Sequence, residues 1–215
     1  MSSAEPRTKR GATQTRERLV EAAVSLYGSR SIDAVSLREI GAAAGQKNSN
    51  ALQYHFGSRD GLLQAIVDTH ATGVEALRAS YYAKAEEGIW SPHEAAARCL
   101  VMPIVDYVDK TPAGLDFVRI VAQIRALSPS GEGVAVEFPR LPALRAIFDR
   151  ALDGLPQREA RRRVYLVVNT AFHSVAEVCN ASDGPSRSPL ANRGAMVEQL
   201  VCMLSAYLAA PAVSA

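Results

Sequence analysis

Apolar residues recur along this chain at helical spacing, and the alternation that marks strands is nearly absent. From Thr15, TRERLVEAAVSLYGSR places Leu19, Ala22, Ala23 and Leu26 on one face with charge opposite, which predicts a first amphipathic helix. RSIDAV (30–35) then turns the chain. Ser36 caps SLREIGAAAG, and Glu39 three residues on completes a capping box. This second helix is short, and Gly45 is placed to end it in the left-handed conformation. A third short helix fits residues 48–55. A fourth opens after Gly57 with Ser58 as its cap and Leu62, Leu63, Ile66 and Val67 as its inner face.

Further helix starts are predicted by cap-plus-proline pairs: Ser91-Pro92 with Glu94 as capping partner, Thr111-Pro112, and Ser188-Pro189. Pro156 is placed to open another. SPSGEGVAVEFPRLP (128–142) and ASDGPSRSP (181–189) read as loops, and APAVSA as a frayed tail. The fold class expected is all-α. A basic arm, flexible in this reading, spans residues 1–14, a three-helix unit residues 15–60, and a larger helical domain residues 61–215.

With 215 residues and 48% hydrophobic content the chain can bury a sizeable core. No apolar run reaches the roughly 18 residues of a membrane span. The first residues carry basic groups without the apolar stretch of a secretory signal. Cys99, Cys179 and Cys202 are odd in number and all lie in apolar patterns, which predicts buried free thiols and a cytoplasmic protein. Net charge is +2 overall, but residues 1–60 hold nine Lys/Arg against six Asp/Glu, and the remainder fifteen against sixteen. The small basic excess thus lies at the front, where a polyanion would be met.

The densest chemistry lies in GQKNSNALQYHFGSRDGLL (45–63). Two short helices joined at a glycine and held by a longer one form a helix-turn-helix. In that unit the second short helix enters the DNA major groove. It needs an apolar face to seat it, here Ala51, Leu52 and Phe56. Its outer face must carry hydrogen-bonding groups, here Lys47, Asn48, Ser49, Asn50, Gln53, Tyr54 and His55. Asn and Gln pair bidentately with adenine and Lys bonds guanine, each good pair contributing about 1–3 kcal/mol of discrimination. Tyr and His reach phosphates, which fix register. A solvated polar loop before a helix is the plainer alternative for this segment taken alone.

The order TRERLVEAAVSLYGSR…DAVSLREIGAAAGQ…ALQYHFGSRDGLLQAI resembles the N-terminal domain of the tetracycline-repressor (TetR) family of bacterial transcriptional regulators. The resemblance runs from about Thr15 to Val67. It implies an all-helical homodimer that represses transcription from a palindromic operator and is released by a small molecule bound in its C-terminal domain. It also assigns a phosphate contact to Arg38, groove entry to the third helix, a phosphate-binding position to Gln53, and a backbone contact to Arg59. Two departures stand out. Gly45 to Phe56 is one residue longer than the common form, which leaves open which of residues 47–50 faces bases. Ser31 stands where the family has glycine, which would cost about 1 kcal/mol if a left-handed residue were needed there. Arg7, Lys9 and Arg10 suit either a backbone-contacting arm or a solubility tail.

In the second half, residues 157–180 form one long helix that is apolar nearly all round from Val164 to Val178. Residues 189–210 repeat apolar positions at Leu190, Val197, Leu200, Val201, Leu204 and Leu208. Two such helices suit a two-fold four-helix interface, and the resemblance places the dimer contact there; Tyr165, Val168, Phe172, Val197, Leu200 and Leu204 are the expected contacts. Arg161, Arg162 and Arg163 read as a solvated helix start. A pocket for a largely hydrophobic effector is expected among helices five to eight, with Tyr107, Arg119, Gln123, Asn169 and His173 as candidate polar contacts. No cofactor or metal is expected: His55, His70, His93 and His173 lack partners at metal-ligand spacing. No nucleophile elbow or Cys-His arrangement points to catalysis. The competing reading is a helical adaptor or small-molecule-binding protein that does not touch DNA.

Overall fold

The computed structural model describes residues 7–46, 50–127, 135–181 and 192–212, and every regular element among them is a helix. In chain order these are α1 (Arg7–Ser29), a 3-10 turn (Ile32–Ala34), α2 (Leu37–Ala43), α3 (Ala51–Phe56), α4 (Arg59–Glu86), α5 (Pro92–Lys110), α6 (Gly114–Leu127), α7 (Pro142–Ala151), α8 (Gln157–Ala181) and α9 (Arg193–Ala209). A helix-turn-helix unit stands on a larger helical body. Its small core gathers Leu19, Ala23, Tyr27, Ile40, Leu52 and Leu62, all buried.

Helix α1 begins at Arg7, well before the first apolar stripe. Residues 11–18 of this extension bury no side chain, so periodicity could not announce it, and a Cβ at Gly11 would meet no atom within 4 Å. The predicted capping box is present. Ser36 Oγ accepts from the Glu39 N–H at 3.2 Å, and the Ser36 N–H donates to Glu39 Oε2 at 2.9 Å. Helix α3 starts at Ala51, later than the predicted residue 48, and Lys47, Asn48 and Ser49 lie outside the described residues. Ser31 has φ −62°, so no left-handed residue is needed and the serine is unstrained. Gly45 and Gly57 do take positive φ, at 70° and 71°.

Of the cap-plus-proline starts, Ser91 caps α5 by accepting from the Glu94 N–H at 3.3 Å, while the Glu94 carboxylate accepts from Arg98. Thr111 instead ends α5, and Pro112 sits in the turn before α6. Ser188-Pro189 falls outside the described residues; α9 is capped by Asn192, whose Oδ1 accepts from the Ala195 N–H.

Helix α5 lies at the centre of the body, packed by α4, α7, α8 and α9. The RRR of 161–163 divides: Arg161 and Arg162 are exposed, but Arg163 is 2% exposed. Its guanidinium donates to the carbonyls of Leu208 at 3.0 Å and Pro211 at 2.7 Å and pairs with Glu159 at 2.6 Å. It thereby satisfies the orphan carbonyls at the C-terminus of α9 and complements its dipole. Cys99 and Cys179 are buried free thiols as expected, and burial pushes both up in pKa. Cys202, also expected inside, is exposed on α9.

Candidate nucleic-acid interface and regulatory cavity

Helix α3 is seated by Leu52, which is buried, with Ala51 and Phe56 packed beside it. A Cβ on Gly61 would come within 2.0 Å of the Phe56 carbonyl oxygen, so only glycine lets α4 start so close to the end of α3. On the opposite face Asn50, Gln53 and Tyr54 are exposed, Tyr54 at 81%, and His55 is half-buried. Tyr54 and His55 meet edge-to-face at 5.0 Å.

The two arginines assigned to the DNA backbone differ in engagement. Arg38 is exposed, and among the described residues it has no carboxylate partner. Its neighbour Glu39 is occupied by Ser36 and by Arg30 at 3.1 Å. Those contacts, the Ser36 backbone bond first, hold the Glu39 carboxyl down to about 2. Arg59 turns inward: Nη2 donates to the Val35 carbonyl at 3.2 Å and Nη1 lies 3.6 Å from Asp33, tying the start of α4 to the turn before α2. A cation not singled out from the sequence, Arg16 of α1, stacks over Phe56 at 5.3 Å. Its signal was faint, one arginine among several on a charged face.

The body contains a cavity of about 610 Å³, within the range of small-molecule sites. Its walls come from α4 through α8, so α4 contributes beside the expected four. The lining is mostly apolar, with Phe117, Phe138, Phe148 and Phe172 among it. None of the five polar candidates lines it. Tyr107 is buried and its hydroxyl meets His70 Nδ1 at 2.7 Å, a satisfied core pair. Asn169 accepts from Arg125 Nε at 2.7 Å. Arg119 and Gln123 hold the end of α1: Gln123 donates to the Tyr27 carbonyl at 2.9 Å and accepts from the Ile32 N–H at 2.8 Å, and Arg119 donates to the Gly28 carbonyl at 3.4 Å. Both border, with the exposed His173, a second hollow of about 380 Å³ between α1, α6 and α8. The sequence could not separate these roles, because a polar residue on a mostly apolar helix serves a ligand, a core partner or a domain junction equally well.

The expected dimer residues also divide. Val197, Leu200 and Leu204 are 4%, 5% and 2% exposed within the single chain, because the most apolar stripe of α9 faces the chain's own core. Val168 and Phe172 line the large cavity. What α8 and α9 leave outside is Tyr165, Leu166, Met203 and Tyr207, each 38–51% exposed.

A short helix seated on an apolar face, with amide, phenol and imidazole groups outward and a longer helix behind it, defines a helix-turn-helix DNA-binding protein. Residues 19–66 match the family model of bacterial regulatory proteins, tetR family. That match runs from α1 to the first turns of α4 and identifies this segment as a DNA-binding domain of that type. Among solved structures it is similar to a TetR-family regulator from Streptomyces coelicolor A3 at 18% identity, covering 97% of this chain and 100% of that one with a TM-score of 0.47. It is similar to a gamma-butyrolactone receptor, described as ArpA-like, at 21% identity, with 91% and 97% covered and a TM-score of 0.45. A further similarity, at 15% identity with 95% and 98% covered and a TM-score of 0.44, is to a TetR-family regulator from Mesorhizobium loti. No curated protein sequence matches. No helix among the described residues is long and apolar enough to cross a membrane.

Proposed function

We propose that this regulator represses transcription as a homodimer bound to a palindromic operator, and that a small amphipathic molecule in the 610 Å³ cavity releases it. The observation that carries the reading is the outward face of α3. Gln53 and Tyr54 are exposed on a helix whose other side is seated by Leu52, Ala51 and Phe56. Gln53 reads a base edge, Tyr54 and His55 approach phosphates, and Arg38 adds a backbone contact. Arg59 acts by holding the start of α4 against the turn before α2.

Two features support communication between cavity and DNA. Helix α6 faces the cavity with Phe117, Val121 and Arg125, and faces α1 with Arg119 and Gln123. The segment 135–141 also walls the cavity, through Phe138, Pro139 and Leu141. Gln64 of α4 clasps that segment at Glu137, accepting from its N–H at 2.7 Å and donating to its carbonyl at 2.9 Å. A ligand that displaces α6 or this segment therefore moves α1 and α4, the supports of α3. It shifts the equilibrium only by its differential affinity for the two arrangements. Dimerisation is supported by the four exposed apolar side chains of α8 and α9.

The test is selection of genomic DNA fragments by the purified protein, followed by sequencing. An inverted repeat with half-sites about 34–36 Å apart, or a multiple of it, is expected. Retention without any enriched sequence would favour a helical protein that acts elsewhere than on DNA.

A further inference from the structure

We infer that the cavity takes an amphipathic carboxylate, with Arg125 meeting the acid group and the phenylalanine-rich wall meeting the apolar body. This rests on reading the cavity as the effector site. The argument starts from charge. Four arginines border the cavity, Arg78, Arg125, Arg145 and Arg161, against two carboxylates, Glu75 and Asp149. Both carboxylates are already engaged. Glu75 pairs with Arg78 at 2.8 Å and accepts from the Tyr82 hydroxyl at 3.0 Å. Asp149 lies 3.6 Å from Arg145 on an exposed turn of α7. Arg161 is at the exposed start of α8.

Arg125 is different. It is half-buried, and among the described residues it has no carboxylate within ion-pair distance. Its Nε donates to Asn169 Oδ1 at 2.7 Å, and its guanidinium lies 5.4 Å from the centre of the Phe138 ring. Burial lowers its pKa, and the Tyr165 phenol offsets this only in part. A half-buried guanidinium held by its Nε, with no acceptor on its terminal nitrogens among the described residues, is oriented to form a two-pronged bond to a carboxylate. The walls set the rest of the ligand: Phe117, Phe138, Phe148 and Phe172 favour an apolar body. Asn169 is then a positioning residue, holding Arg125 rather than touching the ligand.

The experiment compares dodecanoate with dodecanol, equal in chain and different in charge, binding the full-length protein by calorimetry without DNA. Dodecanoate is expected to bind roughly tenfold or more tightly than dodecanol. Arg125→Met removes that preference while leaving dodecanol affinity in place, and Arg125→Lys keeps part of it. Equal binding of the two probes by the wild-type protein overturns the proposal, as does failure of dodecanoate to bind below its aggregation threshold. A folded Arg125→Met variant that retains the preference also overturns it. Should that variant not fold, the wild-type comparison and Arg125→Lys decide alone. Release of operator DNA is read separately: dodecanoate that binds with the stated preference but leaves the DNA complex intact supports the site and removes the regulatory reading.

Discussion

At the scale of single residues, side-chain environment separates positions that look alike in sequence. Arg38 and Arg59 are both arginines at the start of a helix, yet one is exposed without a carboxylate partner and the other is bound to Val35 and Asp33. Arg38→Ala is therefore expected to weaken binding to all DNA sequences alike and to reduce the slope of log affinity against log salt by about 1, measured by fluorescence anisotropy across a salt series. An unchanged slope would remove Arg38 from the interface. The capping box at Ser36 and Glu39 was legible because its two residues lie three apart and bond each other's backbone N–H groups. The inward turn of Arg59 was not, since it depends on where the 3-10 turn at Ile32–Ala34 places a carbonyl.

At the scale of elements, helices with a buried stripe were legible and the others were not. The stripe of α1 announces the helix from Leu19 onward, but residues 11–18 before it bury no apolar side chain. Proline marks a turn without fixing which side of it is helical: Pro92 and Pro142 open helices, and Pro112 lies in the turn between α5 and α6. The least legible feature is α6, whose two faces serve two partners. Phe117, Val121 and Arg125 are four residues apart and share the cavity face, while Arg119 and Gln123 share the face on α1. This geometry predicts that operator DNA slows amide exchange along α6, and that Gln123→Ala abolishes the effect. Mass-spectrometric hydrogen exchange with and without DNA measures it; equal protection in both proteins would exclude α6 as the route.

Across the whole molecule, an all-helical chain with a DNA-binding front end was readable from order and spacing, but its assembly was not. The richest apolar stripe of α9 drew attention as an interface, and it is the stripe the single chain buries for itself. Sequence periodicity finds an apolar face without saying whether the chain or a second copy covers it. Leu166 and Met203, at 48% and 51% exposed, remain outside. Leu166→Glu is expected to convert a dimer to monomers in sedimentation velocity, with helical content unchanged and operator affinity much reduced. A variant that sediments as the wild type would place any dimer contact elsewhere.

If the outward face of α3 reads bases, the base preference of the protein depends on its side chains. Wild-type protein and Gln53→Ala would each be offered a library carrying every single-base change in the selected inverted repeat, with relative affinities read by sequencing bound and free fractions. Gln53→Ala is expected to lose discrimination, by about 1–3 kcal/mol, at one position in each half-site, symmetric about the centre, and to keep it elsewhere. Identical preference profiles for the two proteins would contradict it.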